Sequence, residues 1–377
     1  MIAIYTIDYL PEREHLMPWR TVAEVAKYIH SQGRHVTILN GFSGTTAIRD
    51  FETGSVPVIG IRHSFIELAE TVKRKEFTSV AVPVTWRDGL KDWSAFKTIK
   101  CKKLAYFAGG VYRMKDAIQL WRSSSLSIAK PYLIESIVPK GMLTKKLAGA
   151  GFTEVIALTP YTADRFVKHP ALNVSCIMPG KDVFESLPED DSILKKYELE
   201  GKKFLCYTGA PSPVRGSEWL LKAADQISEP DFRLVMLMRT DVGSDFLRFE
   251  QKLKQMKHPE NVIIIGEKLT RKQLKAFFSH AYAMVLPFIV IPSEIPLTYL
   301  EVLSCGTPII TFDNGGTTRL LNDGLVISSK KKNSLADTLS LAWNNVHLYE
   351  IGQQGKSFIQ QYPSWEQVAE NWLNVLI

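Results

Sequence analysis

The sequence predicts an α/β protein made of two doubly wound parallel sheets. Short apolar runs alternate with segments of helical periodicity along the chain, and the alternation is interrupted once, by the polar stretch 185–203. A length of 377 residues also exceeds what one core of about 150 residues normally takes. Strands that alternate with helices are typical of parallel sheets covered on both faces. We therefore expect two domains in tandem, with a boundary near residues 182–202.

The first half opens on the apolar run IAIYTI, which predicts a strand. Apolar residues then recur at helical spacing over residues 19–31, and Gly33 ends that helix before the strand HVTILN. The same unit returns several times. Further strands are predicted over TSVAVPV, KLAYFA, EVIALT and SCIMPG, with intervening helices such as TADRFVKH.

The second half repeats this organisation after the polar stretch. Predicted strands are KFLCYTG, RLVMLMR, NVIIIG, YAMVLPF and TPIITF, and predicted helices are GSEWLLKAADQI, TRKQLKAFFSH and PLTYLEVLS. The last stretch, YPSWEQVAENWLNVL, predicts a separate helix with Ser364 as its N-cap and Glu366 and Gln367 in the first turn.

Positive charge is concentrated in the first half. Residues 1–185 carry 25 Lys and Arg against 17 Asp and Glu, whereas residues 186–377 carry 21 against 22. Residues 97–146 alone hold 11 basic and two acidic side chains. Such a face attracts an anionic membrane leaflet, at about 1 kcal/mol per basic residue, or an anionic acceptor. A solvated basic face is the plain alternative, and no nucleic-acid partner is predicted because no nucleic-acid motif is present.

Other classes of protein are disfavoured by simple patterns. No apolar run reaches the roughly 18–20 residues of a membrane span, and the N-terminal residues do not resemble a signal peptide. We therefore expect a cytoplasmic protein. The four cysteines form no C-x-x-C pair, so neither a metal site nor a disulfide framework is predicted.

Two strand-to-helix corners of the second half carry the candidate functional residues, because ligands of doubly wound sheets bind beyond the carboxyl ends of the strands. After KFLCYTG, Gly209 permits a tight turn, and Arg215 with Gly216 opens a helix. An arginine at a helix N-terminus opposes the helix dipole unless an anion lies beside it. A phosphate would satisfy both the arginine and the free backbone N–H groups. A surface arginine that points away is the alternative.

The second corner reads PSEIPLTYLEVLSCGTPII and contains two glutamates. Pro296 suits the first turn of a helix, so that Glu294 precedes the helix and Glu301 lies on it. The free N–H groups of Leu297 and Thr298 would point at a ligand such as a diphosphate. The carboxylates would accept hydrogen bonds from sugar hydroxyls that flank it. A capping glutamate and a solvated one remain the alternative.

Taken together, these motifs resemble the retaining glycosyltransferases of family 4, which have the GT-B fold of two Rossmann-like domains. Six landmarks occur in the family's order through most of the chain. They are SCIMPGKDVF, YTGAPSPVRGSEWLLKA, NVIIIGEKLTRKQLKAFFSHAYAMVLPF, EIPLTYLEVLSCGTPII, DNGGTTRLLNDG and YPSWEQVAENW.

The resemblance implies roles for individual residues. Glu301 would bind the ribose hydroxyls of a nucleoside diphosphate sugar. Arg215 would neutralise the diphosphate as a catalytic residue, helped by the backbone amides of Leu297 and Thr298. Lys268 would lie near the base.

The phosphate loop departs from the family pattern at one position. Gly209 and Gly216 match the glycines of the loop, and both are predicted to bind the donor. The family's first arginine is replaced by Ala210, and we expect Arg239, at the end of a neighbouring strand, to take its place.

The glutamate pair departs as well. Six residues separate Glu294 from Glu301, where the family has seven. The resemblance implies that Glu294 is the catalytic residue that holds a hydroxyl of the transferred sugar, and the shorter spacing makes Ser293 the alternative for that role.

The implied organisation has an acceptor-binding domain over residues 1–184, a nucleotide-sugar-binding domain over 185–360 and a C-terminal helix, 361–377, that packs back on the first domain. The implied reaction is metal-independent and cofactor-free transfer of a sugar, with retention, from a nucleoside diphosphate sugar to a hydroxyl of a glycan or lipid-linked acceptor.

The chemistry implies polysaccharide or lipopolysaccharide biosynthesis, in the cytoplasm and at the inner face of the membrane. Two alternatives remain open: a protein that binds a nucleotide sugar or glycan without turnover, and a nucleotide-sugar epimerase on the same fold.

Overall fold

The computed structural model describes residues 1–44, 48–182, 184, 186–238, 244–293, 295–331 and 333–377. Within these ranges the chain forms two β-sheets, each covered by helices on both faces. All pairings between neighbouring strands are parallel except one. The predicted α/β class with two doubly wound sheets is therefore confirmed.

The first sheet has eight strands in the order β3-β4-β2-β1-β5-β6-β7-β8, in which β3 is antiparallel to β4. The strands are β1 (Ile2–Ile7), β2 (Val36–Phe42), β3 (Phe51–Thr53), β4 (Val56–Arg62), β5 (Ser79–Val84), β6 (Lys102–Phe107), β7 (Glu154–Ala157) and β8 (Asn173–Cys176). The helices around it are α1 (Trp19–Ser31), α2 (Phe65–Arg74), α3 (Met114–Ser123), α4 (Leu126–Ile137), α5 (Lys140–Gly149) and α6 (Pro160–Ala163).

The second sheet has six strands in the order β11-β10-β9-β12-β13-β14. The strands are β9 (Leu205–Gly209), β10 (Leu234–Met238), β11 (Val262–Ile265), β12 (Ala283–Leu286), β13 (Ile309–Phe312) and β14 (Leu325–Ser328). Its helices are α8 (Ser217–Ala224), α9 (Ser244–Leu253), α10 (Arg271–His280), α11 (Leu297–Ser304), α12 (Gly316–Leu320), α13 (Ser334–Trp343) and α14 (Leu348–Gln360), while α7 (Ser192–Lys196) lies in the connection between the sheets.

Both sheets reverse their strand order at one point, between β1 and β5 in the first and between β9 and β12 in the second. At such a point the loops that leave the two neighbouring strands diverge to opposite faces, which opens a crevice at the carboxyl edge. The corners after β9 and β12 flank this crevice in the second domain. They are the two corners that the sequence singles out.

The last helix, α15 (Trp365–Leu376), returns to the first domain. It packs along α1, and its apolar face joins the core that covers the first sheet. The crossing is held where the backbone N–H of Lys181 donates to the carbonyl of Pro363 over 2.9 Å. A Cβ on Gly180 would lie 2.7 Å from the Cα of Trp365, so only glycine permits this approach.

Of two local predictions, the N-cap of the last helix is confirmed and a helix before β8 is wrong. The N-cap at Ser364 is confirmed: its hydroxyl accepts from the N–H of Gln367, and the Gln367 side chain accepts from the N–H of Ser364. The helix predicted over TADRFVKH is wrong beyond its first turn, because α6 ends at Ala163. The chain turns there and forms a short bridge between His169 and Leu172 before β8.

Candidate functional site

The corner after β9 is tied to the corner after β12. A 3₁₀ turn over Pro213–Arg215 follows the strand, and the carbonyl of Val214 accepts a hydrogen bond of 2.9 Å from the N–H of Ile289. The two loops on either side of the crevice therefore form one surface. Of the predicted donor-binding residues, Gly209, Arg215 and Gly216 lie on its first half, and Ser293, Leu297 and Thr298 lie on its second.

Two positions of this surface favour glycine for steric reasons. Gly216 has a φ of 71°, and a Cβ there would lie 2.1 Å from the carbonyl oxygen of Pro287. Gly209 has a φ of 147°, and a Cβ there would lie 2.8 Å from Nη1 of Arg215. Both positions favour glycine for their backbone conformation and for the close approach. Gly216 lets the two corners meet, and Gly209 gives the Arg215 guanidinium its room.

Arg215 is half-buried, and its guanidinium carbon lies 5.4 Å from the centre of the Phe288 ring. In the part of the chain that the structure describes, no carboxylate forms an ion pair with it. An arginine held against an aromatic face without a counter-ion has its N–H groups available for an anion. The Tyr207 hydroxyl donates to the carbonyl of Ala210 over 2.9 Å, which fixes the loop at the position where the family's first arginine is missing.

The N-terminus of α11 supplies backbone donors at the second corner. Pro296 precedes the helix, and the first N–H bound there is that of Tyr299, which donates to the Pro296 carbonyl over 3.0 Å. Among the described residues, no acceptor binds the N–H groups of Leu297 and Thr298. Within the described chain these two donors are unpaired, and they lie at a helix end that favours negative charge.

Three further site residues were predicted from the sequence: Glu294, Arg239 and Lys268. Glu294 and Arg239 lie outside the described residues, so their predicted roles stay predictions. Lys268 is exposed beyond the end of β11. That strand is two strands away from β9, a distance of roughly 10 Å at the usual strand spacing. A nucleotide that spans from Arg215 to Lys268 would have to cross β10.

Glu301 lies on α11 with a quarter of its side chain exposed. Its Oε1 is 3.9 Å from Nη2 of Arg271, on α10. Burial and the nearby Asp182 carboxylate together raise the pKa of Glu301 to about 7, against the opposing effects of Arg271 and Arg20. The side chain predicted to bind ribose therefore holds its proton to a higher pH than an exposed glutamate does.

Asp182 gathers a group of side chains that sequence reasoning missed. Its Oδ1 accepts from Nη2 of Arg20 over 3.1 Å and from Nε1 of Trp365 over 2.7 Å, and its Oδ2 accepts from Nη2 of Arg271 over 2.8 Å. These partners come from α1, α15 and α10. Asp182 stands within the SCIMPGKDVF landmark, but nothing in the sequence pairs it with Arg271 and thereby with Glu301.

The first domain closes over the second corner. The Tyr112 hydroxyl donates to the carbonyl of Pro292 over 3.0 Å, and a Cβ on Gly110 would lie 2.4 Å from the carbonyl oxygen of Ile291. Arg113 forms an ion pair of 2.6 Å with Asp313, at the end of β13. The loop after β6 thus rests directly on the loop that carries Ser293.

Lys330 holds the same closed arrangement from the second domain. Its Nζ donates to Oδ1 of Asp116 over 2.9 Å, to the carbonyl of Ile289 over 2.7 Å and to Oδ1 of Asn314 over 3.1 Å. Burial lowers the pKa of Lys330 to about 8, against the opposing effect of Asp116. One buried ammonium therefore joins α3 of the first domain to the loops that follow β12 and β13.

One group of acidic and histidine side chains is close enough to hold a metal ion, considering the described ranges alone. It comprises Glu189, Asp191 and His280, all exposed. Oε1 of Glu189 also accepts from the hydroxyl of Ser279 over 2.9 Å. These contacts hold the connection between the domains against α10, away from the two corners of the crevice.

The surface of α3 and α4 is both apolar and basic. Among the twelve residues of α4, Ala129 and Glu135 are buried, whereas Leu126 is 52% and Ile137 61% exposed. Trp121, at the end of α3, is also exposed. No helix within the described residues combines the length and the apolar character needed to cross a bilayer.

The comparisons with known proteins agree with this geometry. Residues 189–356 match the family model of the glycosyl transferases group 1. This part of the chain holds both corners of the crevice, and its match to the family model confirms the resemblance seen in the sequence.

Two relatives with similar sequences are named as sugar transferases. A GDP-mannose-dependent monoacylated alpha-(1-6)-phosphatidylinositol monomannoside mannosyltransferase of Corynebacterium glutamicum is 23% identical over 262 residues, which cover 64% of this chain and 66% of that protein. A D-inositol 3-phosphate glycosyltransferase of Paenarthrobacter aurescens is 22% identical over 58% of this chain and 56% of that protein. The match thus spans less than two thirds of each relative's length.

A solved structure extends the fold to the whole chain. The sucrose-phosphate synthase from Thermosynechococcus elongatus superimposes with a TM-score of 0.74 over 99% of this chain and 97% of that chain, at 16% identity. The fold is therefore GT-B, with the two domains facing each other across a cleft, as the sequence predicts.

Proposed function

We propose that this protein is a retaining glycosyltransferase that moves a sugar from a nucleoside diphosphate sugar to a hydroxyl of a glycan or lipid-linked acceptor. The observation that carries the proposal is the pairing of Arg215, which has no carboxylate partner in the described chain, with the open N-terminus of α11. Both lie at the point where the second sheet reverses its order. This is where a doubly wound sheet binds a phosphorylated ligand.

The proposed chemistry follows from where charge develops. When the sugar leaves the nucleotide, negative charge grows on the diphosphate, and preorganised donors that face it lower the barrier. Arg215 supplies a fixed positive charge, and the amides of Leu297 and Thr298 supply donors at the positive end of a helix. We propose that these groups suffice without a metal ion. Retention would follow if the acceptor attacks from the face that the diphosphate leaves.

The names of the relatives indicate which substrates should be tested first. One relative is described as GDP-mannose-dependent and acts on a phosphatidylinositol mannoside, and the other is named for D-inositol 3-phosphate. We therefore propose GDP-mannose first among the donors, with UDP-glucose and UDP-N-acetylglucosamine as alternatives. Inositol-bearing acceptors come first among the acceptors.

The experiment measures the release of nucleoside diphosphate from each donor, with and without acceptor and with a chelator present. We expect release from one donor, stimulated by acceptor, and a product that keeps the configuration of the donor. Arg215→Ala should lower kcat by about 10²–10³, while Lys222→Ala, an exposed basic residue on the adjoining helix α8, should leave it unchanged. Tight nucleotide binding without release from any donor would favour the non-catalytic alternative instead.

The enzyme is further proposed to work in the cytoplasm as a peripheral protein on an anionic membrane surface. The support is the exposed apolar side chains of Trp121, Leu126 and Ile137 on a part of the chain rich in lysine and arginine. Apolar groups that enter the headgroup region and basic groups that attract anionic lipid act together in such binding.

Vesicle sedimentation tests this surface. The protein should sediment with phosphatidylglycerol vesicles more than with phosphatidylcholine vesicles, and less as salt is added. The double substitution Leu126→Ser and Ile137→Ser should reduce sedimentation. The control is Leu341→Ser, which changes an even more exposed leucine on the second domain. Equal loss in the control would contradict the proposed surface.

A further inference from the structure

One carboxylate of the first domain is buried with half of its hydrogen-bonding capacity unused. Glu135, on α4, is 4% exposed, and its Oε1 forms an ion pair of 2.9 Å with Nε of Arg87. Its Oε2 is buried and has no hydrogen-bond partner within the described residues. Burying an unsatisfied carboxylate oxygen is costly, and burial raises the pKa of Glu135 to about 7. A packing role does not explain an acid at this position.

The free oxygen lies beside Gly109, where the missing side chain leaves a gap about the size of a methyl group. A Cβ added to Gly109 would lie 3.6 Å from Oε2 of Glu135, and its nearest other contact would be the side chain of Thr85 at 3.3 Å. Thr85 follows β5, one of the two strands at which the first sheet reverses its order, and Gly109 follows the neighbouring strand β6. Glu135 Oε2 therefore lies beside the carboxyl edge of the first sheet, where that sheet would bind a ligand.

This edge faces the donor corner of the second domain. Gly110, the residue after Gly109, is the one whose Cβ would lie 2.4 Å from the carbonyl oxygen of Ile291. Tyr112 binds the next carbonyl, that of Pro292, and Ser293 follows directly. A ligand bound at Glu135 would thus stand on the wall of the cleft opposite the place where the transferred sugar is expected.

The charges around the gap define what it can hold. When ionised, the Glu135 carboxylate accepts hydrogen bonds and repels phosphate, and when protonated it can also donate, so a group that both donates and accepts fits either form. Arg87 already neutralises the other oxygen. Nζ of Lys140 donates to the backbone carbonyl of Glu135 over 2.9 Å and lies 4.5 Å from the centre of the Trp86 ring. A second ammonium is therefore disfavoured, and a neutral hydroxyl is the donor that fits.

We propose that Glu135 binds a hydroxyl of the acceptor, and that the part of the acceptor that enters beside Gly109 is a neutral polyol or sugar ring. This inference rests on the proposed function for the word acceptor, but the polyol site itself can be measured without turnover. Any phosphate or lipid portion of the acceptor would have to lie away from Oε2, toward the basic side chains at the surface.

Two variants test the site by different means. Glu135→Gln keeps the shape and removes the charge, and Gly109→Ala fills the gap while the carboxylate stays. The matched control is Glu70→Gln, which changes an exposed acid of α2 in the same domain. Circular dichroism and thermal unfolding report whether each variant folds. Glu135→Gln should unfold no earlier than the wild type, because it removes a buried charge.

The measurement is saturation-transfer NMR on three neutral probes: myo-inositol, D-mannose and glycerol. We expect at least one probe to bind the wild-type chain and the control. Affinity should fall about tenfold or more in Glu135→Gln, as for the loss of a hydrogen bond to a charged group. It should also fall in Gly109→Ala. In the transfer assay the same variants should raise the KM for the acceptor.

The outcomes separate this proposal from the proposed function. If no probe binds the wild type, or if Glu135→Gln binds as well as the wild type, the proposal is overturned. If a probe binds through Glu135 but no donor is turned over, the polyol site stands and the transferase function fails. If donors are turned over while both variants keep the wild-type KM for acceptor, the transferase function stands and this site fails.

Discussion

Glu301 combines a proposed role in binding with a cost to stability. Its carboxyl loses a proton near pH 4.5 when the chain is unfolded and near pH 7 when it is folded. The folded protein therefore holds more protons between these values, and its free energy of unfolding falls as the pH rises from about 4.5 to 7. A group that only packed the helix would not be kept at this cost, which supports a role at the ribose.

Glu301→Gln should remove the cost to stability and weaken the binding of nucleotide. Above pH 7 the variant should be more stable than the wild type by roughly 1–3 kcal/mol, and below pH 4.5 the two should be equal. Its affinity for nucleoside diphosphate should fall about tenfold, because a carboxylate accepts the ribose hydroxyls more strongly than an amide does. Urea unfolding at pH 4 and pH 8 and titration calorimetry with GDP and UDP give both quantities. Unchanged nucleotide affinity would contradict the ribose assignment.

At the scale of residues, the sequence predicted the local features and missed the distant ones. Arg215 and Gly216 could be found because a corner between strand and helix is a local pattern. The contacts of Glu301 with Arg271 and of Arg271 with Asp182 join residues that are 30 and 89 positions apart in the sequence. No periodicity or spacing reports such a contact. Glu135 was missed for a related reason, since a single acid within an apolar helix gives no sign of which atom it leaves unpaired.

At the scale of elements, the final helix α15 completes the core of the first domain from the far end of the chain. Trp372 is fully buried, and its ring centre lies 5.2 Å from that of Tyr106 on β6. The large apolar area that it buries makes α15 a structural part of the first domain.

Trp372→Ala should destabilise the protein by about 3–5 kcal/mol, as expected for truncating a fully buried aromatic side chain. Glu370→Ala, at an exposed position of the same helix, is the control and should change stability by less than about 0.5 kcal/mol. Thermal unfolding followed by circular dichroism compares the two. If both variants unfold together with the wild type, the helix does not contribute to the core as described.

The elements themselves were largely predictable because strand and helix signals are local. All five strands predicted in the second half are present, as β9 to β13. The antiparallel strand β3 was not predicted, because three residues are too few to show a period. The segment after α6 was predicted as helix from its composition. The single turn of α6 carries Tyr161, whose hydroxyl would lie 3.2 Å from a Cβ on Gly315 of the second domain.

At the scale of the whole molecule, the described structure shows the cleft closed by polar contacts. The ion pair between Arg113 and Asp313 holds the pKa of Asp313 at about 2, helped by an N–H from Gly315. Its contribution is present above pH 3.8 and is lost as the pH falls toward 2. Half of the Asp313 side chain is exposed, so the pair contributes at most about 1 kcal/mol. A contact that contributes so little free energy allows the cleft to open.

Arg113→Ala should shift the population toward an open cleft. A loss of about 1 kcal/mol changes the ratio of closed to open molecules about fivefold. Small-angle X-ray scattering should show a larger radius of gyration without nucleotide, and added salt should have the same effect on the wild type. Arg122→Ala, at an exposed basic residue of α3, the helix that Arg113 directly precedes, should leave the radius unchanged. Equal radii for the wild type and Arg113→Ala would mean that this pair does not hold the cleft.

The return of α15 to the first domain also has a consequence for how the protein is made. The first sheet is complete at Cys176, but the helix that covers one of its faces lies at 365–376. During synthesis at 5–20 residues per second, the ribosome needs roughly 10–40 s to make the chain between them. Throughout that interval the surface formed by α1 and β6 is uncovered and able to aggregate or to recruit a chaperone. The second domain, made later, can finish folding before the first.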